Sequence, residues 1–455
     1  MNARSIVAVL AVAATFALLP AALPAAPAFD LGDELAHRVD GTPGYGLVAG
    51  TIDRGQTSIV VRGESGSGVK LDRDTVFEIG SITKAFTAMA LADMVRRGEV
   101  GLNDPIEKFL PSGVTAPFRG DRHITLLDLA TQSSGLPRSP SNLMPARSAD
   151  PYAEYTEAKL YDFLSHYTLP RDPGASYEYS NLGVGLLGVL LANRAKLPYE
   201  ALVRERVLRP LGMESTAIAL RPGMAQRFAP GHDADGDRVE NTDLNALAGA
   251  GGLRSSLDDM LKFLAANMAN SGPLADDVRA AQEPRRDAAS PEDRIGLVWH
   301  TLTKSRILWH NGQTAGYHSF IGISSDRTRG IVILSNVGES IDDIGFHWLD
   351  PSIELTPPRR PLALDPKLLS RYTGSYVIGA SALPFVITLE GGKLYARLAQ
   401  QRKARIYPYA PNQFFYKAVD AQITFRTDAN GKATDFVLHQ NGRDTPGKRV
   451  DSAGS

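Results

Sequence analysis

The chain has 455 residues, with 49 Lys+Arg against 50 Asp+Glu and a formal net charge of −1. That balance gives no reason to expect nucleic acid or an anionic membrane as partner, so no nucleic-acid partner is expected. Hydrophobic residues make up 43% and charged residues 22%, as in an ordinary globular protein, and with no cysteine neither a disulfide framework nor a lipid-modified cysteine can form.

The first segment has its own composition. Arg4 precedes an apolar run from Ile6 to Leu19, and small residues lead to Ala26-Pro27-Ala28. This pattern predicts a cleavable secretory signal over residues 1–28, cut after Ala28, and hence a periplasmic or secreted protein with no transmembrane span after cleavage. Next, Tyr45 to Ile52 and Thr57 to Arg62 predict a hairpin joined through Asp53-Arg54-Gly55.

Ser81-Ile82-Thr83-Lys84 follows Gly80 at the head of a helical stretch whose apolar residues run from Ala85 to Val95. Residues three apart share a helix face, so Lys84 can lie beside the Ser81 hydroxyl. A serine needs such a base, and a lysine serves when burial or other cations depress its pKa. Free N–H groups at the helix start suit an oxyanion. Ser-x-x-Lys is a weak signal alone. The chain holds a second copy, Ser67-Gly68-Val69-Lys70, in a glycine-rich turn where no helix fixes the geometry.

Tyr179-Ser180-Asn181 offers a phenol and an amide two positions apart, with Tyr177 as a rival phenol. A tyrosine acts as a base only where cations stabilise its phenolate. Leu182 to Ala192 and Leu257 to Asn267 read as helices. Asp233-Ala234-Asp235-Gly236-Asp237 hints at calcium, but the twelfth position of the required loop is Leu244, so a solvated turn is expected. Strands are predicted over Ile307 to His310, His318 to Ser324 and Ile331 to Asn336. Trp309-His310-Asn311-Gly312-Gln313 ends the first of them. Gly312 would let a substrate backbone approach, the Gln313 N–H could join the Ser81 N–H as an oxyanion donor, and His310 could tune a proton network.

A proline-rich stretch, Leu355 to Pro361, predicts a linker. Beyond it come six short strand-like runs: Tyr372 to Ile378, Phe385 to Glu390, Lys393 to Leu398, Phe414 to Lys417, Ile423 to Thr427 and Phe436 to His439. Their aromatics (Phe385, Tyr395, Phe414, Phe415, Tyr416) read as core. The expected fold class is α/β (α+β): an antiparallel sheet flanked by helices, a helical subdomain, then a small antiparallel β-barrel. The expected divisions are 1–28 signal, 29–354 first domain, 355–365 linker and 366–455 barrel.

The three elements Ser81-x-x-Lys84, Tyr179-x-Asn181 and His310-x-Gly312, in this order, resemble the serine β-lactamase and penicillin-binding-protein family. The branch resembled is that of class C β-lactamases, D-alanyl-D-alanine carboxypeptidases and related esterases, over Leu31 to Trp348. Thr75 to Gly80, Gly101 to Pro105, Ile124 to Pro137 and Gly251 to Ser255 support the resemblance. It implies that Ser81 forms an acyl-enzyme and that Lys84 and Tyr179 move protons. Asn181, His310 and Gly312 would contact substrate, and the Ser81 and Gln313 N–H groups would hold the oxyanion, without metal or organic cofactor. The implied partner is a small molecule or short peptide. Peptides containing D-amino acids, β-lactams and esters all remain open, as does a penicillin-binding or assembly protein that does not hydrolyse. Two departures stand out: His310 replaces a usual lysine, which weakens carboxylate recognition, and Gln132 replaces a common histidine. The terminal segment resembles a small lipocalin-like barrel.

Overall fold

The computed structural model describes residues 29–450, apart from 41, 43, 144–149, 151, 357, 358, 360, 363, 380, 381, 400, 402, 418, 420, 441 and 442. The expected signal segment and part of the expected linker lie outside the described residues. No described helix is long and apolar enough to cross a membrane.

The chain builds one sheet from both sides of a helical region. Strands β1 (Gly46–Asp53) and β2 (Gln56–Gly63) form the expected hairpin; β3 (Arg286–Asp287), β4 (Asp293–Ile295), β5 (His300–Leu302), β6 (Leu308–Gln313), β7 (His318–Ile323) and β8 (Arg329–Ser335) come more than 200 residues later. The sheet order is β2-β1-β8-β7-β6-β5-β4-β3, and its pairs are antiparallel.

Both faces of the sheet are buried, because alternate residues are apolar on each side. Leu47, Ala49, Phe320, Ile331 and Ile333 face helices α1 (Leu31–Val39) and α5 (Asp342–Leu349). Val48, Ile321, Val332 and Leu334 belong to the larger core on the opposite face. That core holds α2 (Thr83–Arg96), α3 (Asn181–Ala195) and α4 (Leu257–Met268). Helix α2 is buried nearly all round, from Thr83 to Met94, and Phe86 stacks on Phe263 of α4 with ring centres 4.0 Å apart. A fully buried aromatic pair of this kind contributes several kcal/mol, on the order of 3–5 for loss of one ring.

The terminal region is a closed eight-stranded antiparallel barrel spanning Gly374 to Arg449. Two of its strands, Ala404–Ala410 and Arg443–Arg449, were not legible in the sequence. The last reads Arg-Asp-Thr-Pro-Gly-Lys-Arg; it joins the barrel by pairing on both sides, with no apolar alternation of its own. The barrel is filled by side chains: Tyr376, Phe385, Phe414, Phe425 and Phe436 are almost fully buried and pack ring against ring. Tyr395 is only partly buried, with Lys403 over its ring, so that part of the expected aromatic core lies at the surface.

The acidic turn expected to be solvated is instead where the barrel docks. Asp235 receives Arg405, Lys393 Nζ at 3.1 Å and the Tyr407 hydroxyl at 3.0 Å. Lys417 Nζ donates to the Ala234 carbonyl at 2.9 Å, and the Ser340 N–H donates to the Lys417 carbonyl at 3.0 Å. Carboxylate oxygens of Asp233, Asp235 and Asp237 lie within 4.8 Å of one another. The cationic side chains already neutralise Asp235, the middle of the three.

Candidate active site

Ser81 sits in a 3-10 turn, Gly80–Ile82, immediately before α2. Gly80 has φ +48°, and a Cβ there would lie 2.7 Å from the Gln313 nitrogen. Gly312 answers it from β6: a Cβ at that position would lie 2.0 Å from the Ile79 carbonyl oxygen. The two glycines therefore let backbone meet backbone, and they bring the Ser81 and Gln313 positions to one place. The Ser319 hydroxyl, from β7, ties the contact by donating to Ile79 O at 2.9 Å.

Tyr179 is placed by the start of α3. Ser180 is the N-cap, accepting the Gly183 N–H at 2.8 Å. The Ser180 N–H donates to Gln132 Oε1 at 2.8 Å, and the Glu178 N–H donates to the Gln132 carbonyl at 2.7 Å. Gln132 thus braces the residues on both sides of Tyr179, which gives its departure from histidine a structural use.

These elements converge. Lys84 Nζ donates to Ser81 Oγ at 2.8 Å, to Asn181 Oδ1 at 2.8 Å and to the Ala250 carbonyl at 2.6 Å. The three ammonium protons are thereby all used. The Tyr179 hydroxyl donates to Ser81 Oγ at 2.7 Å. Lys84 is fully buried, whereas Ser81 and Tyr179 are half-buried and reach the surface. The second Ser-x-x-Lys lies elsewhere: the Ser67 and Ser65 hydroxyls face each other in a bend, and Lys70 is exposed.

The electrostatics follow the geometry. Burial lowers the Lys84 pKa against the opposing pull of Tyr179, and the Arg138 charge lowers it further. Burial alone would raise Tyr179, but the charges of Lys84 and Arg138 and the hydrogen bond with Ser81 outweigh it, so this phenol titrates below its ordinary range. Its rival Tyr177 is strongly raised by burial, with a further push from Tyr179. The two phenols, two positions apart in the sequence, are shifted in opposite directions.

Sequence reasoning missed Arg138. Its guanidinium carbon lies 4.9 Å from the centre of the Tyr179 ring, and its carbonyl accepts the N–H groups of Asn181 and Leu182 at 3.1 and 3.2 Å. A lone arginine in a loop carries no motif; the only sequence signal was its place directly after Ser134-Gly135-Leu136-Pro137.

His310 is 2% exposed. Its Nδ1 donates to the Asn311 carbonyl at 2.6 Å, which leaves Nε2 as a bare acceptor without a partner among the described residues. Burial, then the charges of His300 and Lys84, hold its pKa well below the usual histidine range, so it is neutral. It makes no hydrogen bond to Ser81, Lys84 or Tyr179 among the described residues.

The chain is similar to known proteins. The β-lactamase family model matches residues 35–348, and a domain of unknown function, DUF3471, matches 358–449. The chain is 28% identical to the D-alanyl-D-alanine-carboxypeptidase/endopeptidase AmpH of Escherichia coli over 70% of its own length and 88% of the relative. It is 24% identical to penicillin-binding protein 4* of Bacillus subtilis, over 84% and 89%. Among solved structures, the β-lactamase/D-alanine carboxypeptidase of Yersinia pestis aligns with TM-score 0.58 at 25% identity, covering 66% of this chain and 92% of that one. A class C β-lactamase of Rhodobacter sphaeroides aligns with TM-score 0.57 at 25% identity, over 68% and 93%. With a model match over more than two thirds of its length, this chain belongs to the β-lactamase family and is one of its serine hydrolases.

Proposed function

We propose that the protein is an exported hydrolase that works through an acyl-enzyme, and that its substrates are short peptides with D-amino acids, cleaved in the manner of a carboxypeptidase. The observation that carries this reading is one oxygen, Ser81 Oγ, held 2.8 Å from Lys84 Nζ and 2.7 Å from the Tyr179 hydroxyl.

Each residue has a role. The phenolate form of Tyr179, held by the cations around it, takes the proton of Ser81 as Oγ attacks the carbonyl carbon. The oxyanion so formed faces the N–H groups of Ser81 and Gln313. When the tetrahedral intermediate collapses, Tyr179 returns the proton to the leaving atom. Water then repeats the sequence on the acyl-enzyme. Lys84 keeps the charge in place throughout and orients Asn181, whose side chain positions the substrate amide. His310 and Gly312 line the strand along which the substrate lies. The resemblance to AmpH supports the carboxypeptidase reading, and the leader-like residues 1–28 support export.

The neutrality of His310 favours a second reading, a carboxylesterase, since an uncharged ester needs no cation at that position. A class C-like β-lactamase is the third substrate class to test. Intact-mass spectrometry with a fluorophosphonate and with benzylpenicillin tests the acyl-enzyme: a single adduct on Ser81 is expected, and labelling elsewhere or not at all overturns it. Release of D-alanine from a D-alanyl-D-alanine peptide, against turnover of nitrocefin and of p-nitrophenyl esters, decides between the substrate classes.

A further inference from the structure

Two cations lie beside the Tyr179 ring, and they differ in what they have left to give. Lys84 Nζ, 4.8 Å from the ring centre, has all three protons committed. Arg138 has none committed. It is exposed, and its guanidinium makes no hydrogen bond or ion pair among the described residues; it lies over the Tyr179 ring, 4.9 Å from the centre. Its main chain is fixed all the same, because its carbonyl holds the first two N–H groups of α3. An immobilised backbone carrying a free five-donor fork at the mouth of a site is a ready receiver for a planar anion.

The position of the fork selects where on the substrate the anion must be. Tyr179 is the residue that hands a proton to the leaving nitrogen under the function proposed above, on which this inference rests. A carboxylate carried on the carbon next to that nitrogen has its own carbon about 2.5 Å away, two bonds along. That nitrogen is in turn a hydrogen bond, about 3 Å, from the phenol oxygen, so the carboxylate carbon lies no more than about 5.5 Å from that oxygen, close to the ring over which Arg138 lies at 4.9 Å. The other candidate for this task, His310, is buried and neutral and has no charge to offer.

We propose that Arg138 is a substrate-binding residue that receives a free carboxylate on the leaving half of the substrate, so that the cation missing from β6 is supplied from the loop before α3. Specificity for a terminal acid over a blocked terminus then resides in Arg138.

The test separates binding of the anion from cleavage of the peptide. Turnover of p-nitrophenyl acetate is measured while a D-alanyl-D-alanine peptide competes, once as its free acid and once as its terminal amide. In the wild-type protein the acid is expected to inhibit about tenfold or more better than the amide, as a charge-assisted bidentate contact implies. In Arg138→Gln that ratio falls to about one, and Arg138→Lys keeps an intermediate ratio, having the charge without the fork. Because the readout is a ratio within each variant, any general effect of Arg138 on Tyr179 cancels. Equal inhibition by acid and amide in the wild type, or an undiminished ratio in Arg138→Gln, overturns the proposal. Release of D-alanine is followed separately: if the peptide binds with the expected preference but is never cleaved, the carboxypeptidase reading fails and the anion anchor stands.

Discussion

Gly312 lies flush against Ile79, so that a methyl group on its α-carbon would sit 2.0 Å from the Ile79 carbonyl oxygen. Strand β6 and the turn that carries Ser81 touch through bare backbone at this point. Gly312→Ala must therefore push the strand off the turn, and with it the Gln313 N–H. We expect a loss of stability on the order of 1–3 kcal/mol from overpacking and a fall in kcat of about a hundredfold, the size of effect seen when one oxyanion donor is lost. Denaturant melts and ester kinetics on the same preparation check it; wild-type kcat in a destabilised variant would separate the contact from catalysis.

The two neighbouring phenols give a sharp comparison. Tyr179→Phe removes the group that touches Ser81 Oγ and should lower kcat by about 10²–10⁴. Tyr177→Phe removes a phenol that burial keeps protonated, and its turnover should stay within a few-fold of wild type. Ser81→Ala should abolish turnover while costing no more than about 1 kcal/mol, since the Ser81 side chain makes no capping bond to the backbone of α2. Steady-state kinetics of the three variants, with circular dichroism to verify folding, decide the matter.

The pH profile carries a signed expectation. Activity needs the Tyr179 proton gone, so kcat/KM rises with pH through the Tyr179 pKa, which Lys84 and Arg138 hold below the ordinary phenol value near 10. Arg138→Gln removes a positive charge and thereby disfavours the phenolate. The acid limb must move to higher pH and activity at neutral pH must fall. A limb that stays in place, or moves toward acid, contradicts the assignment of Tyr179 as the base.

His310 makes stability itself depend on pH. Its folded pKa lies well below the unfolded value near 6.5, so the unfolded chain binds the proton more readily. The stabilisation is complete above that value and declines as pH falls below it, by up to about 1.4 kcal/mol per pH unit. His310→Asn should flatten this slope between pH 7 and pH 5 in urea melts, whatever it does to stability at pH 7.

Asp235→Ala removes the acceptor of Arg405 and leaves Lys393 only Asp237, at 3.8 Å, and should loosen the barrel from the hydrolase unit at a cost of about 1–3 kcal/mol. Faster proteolytic cleavage between residues 355 and 365, with each unit still folded, is the expected result. Cleavage at the wild-type rate would show that the barrel is held without Asp235, by contacts such as Lys417 to Ala234 and Lys393 to Asp237.

What the sequence disclosed and what it hid follow from range. Ser81 and Lys84 are one helical turn apart, so their meeting was a local matter, and Tyr179 was legible because it neighbours the N-cap of a strongly apolar helix. Tyr179 stands above Tyr177 in the sequence only through the Tyr-x-Asn pattern; the physical reason, burial against the charges of Lys84 and Arg138, is not written in the local residues. Arg138 was invisible for the same reason: its importance is one stack on a ring 41 positions away. The strand Arg443–Arg449 hid because its pairing partners, not its own side chains, make it a strand. Asp235 reads as a solvated turn residue because its partners lie beyond residue 390.

The sheet order has a consequence for the making of the molecule. The hairpin β1 and β2 emerges early in synthesis, but its neighbour β8 arrives only some 270 residues later, and β6, which touches the Ser81 turn, arrives just ahead of it. A nascent chain halted before that point has an unpaired edge and a serine turn without the Gln313 N–H. Contacts so distant along the chain make for slow folding, and an unfinished polypeptide lacks the strand against which the Ser81 turn is seated.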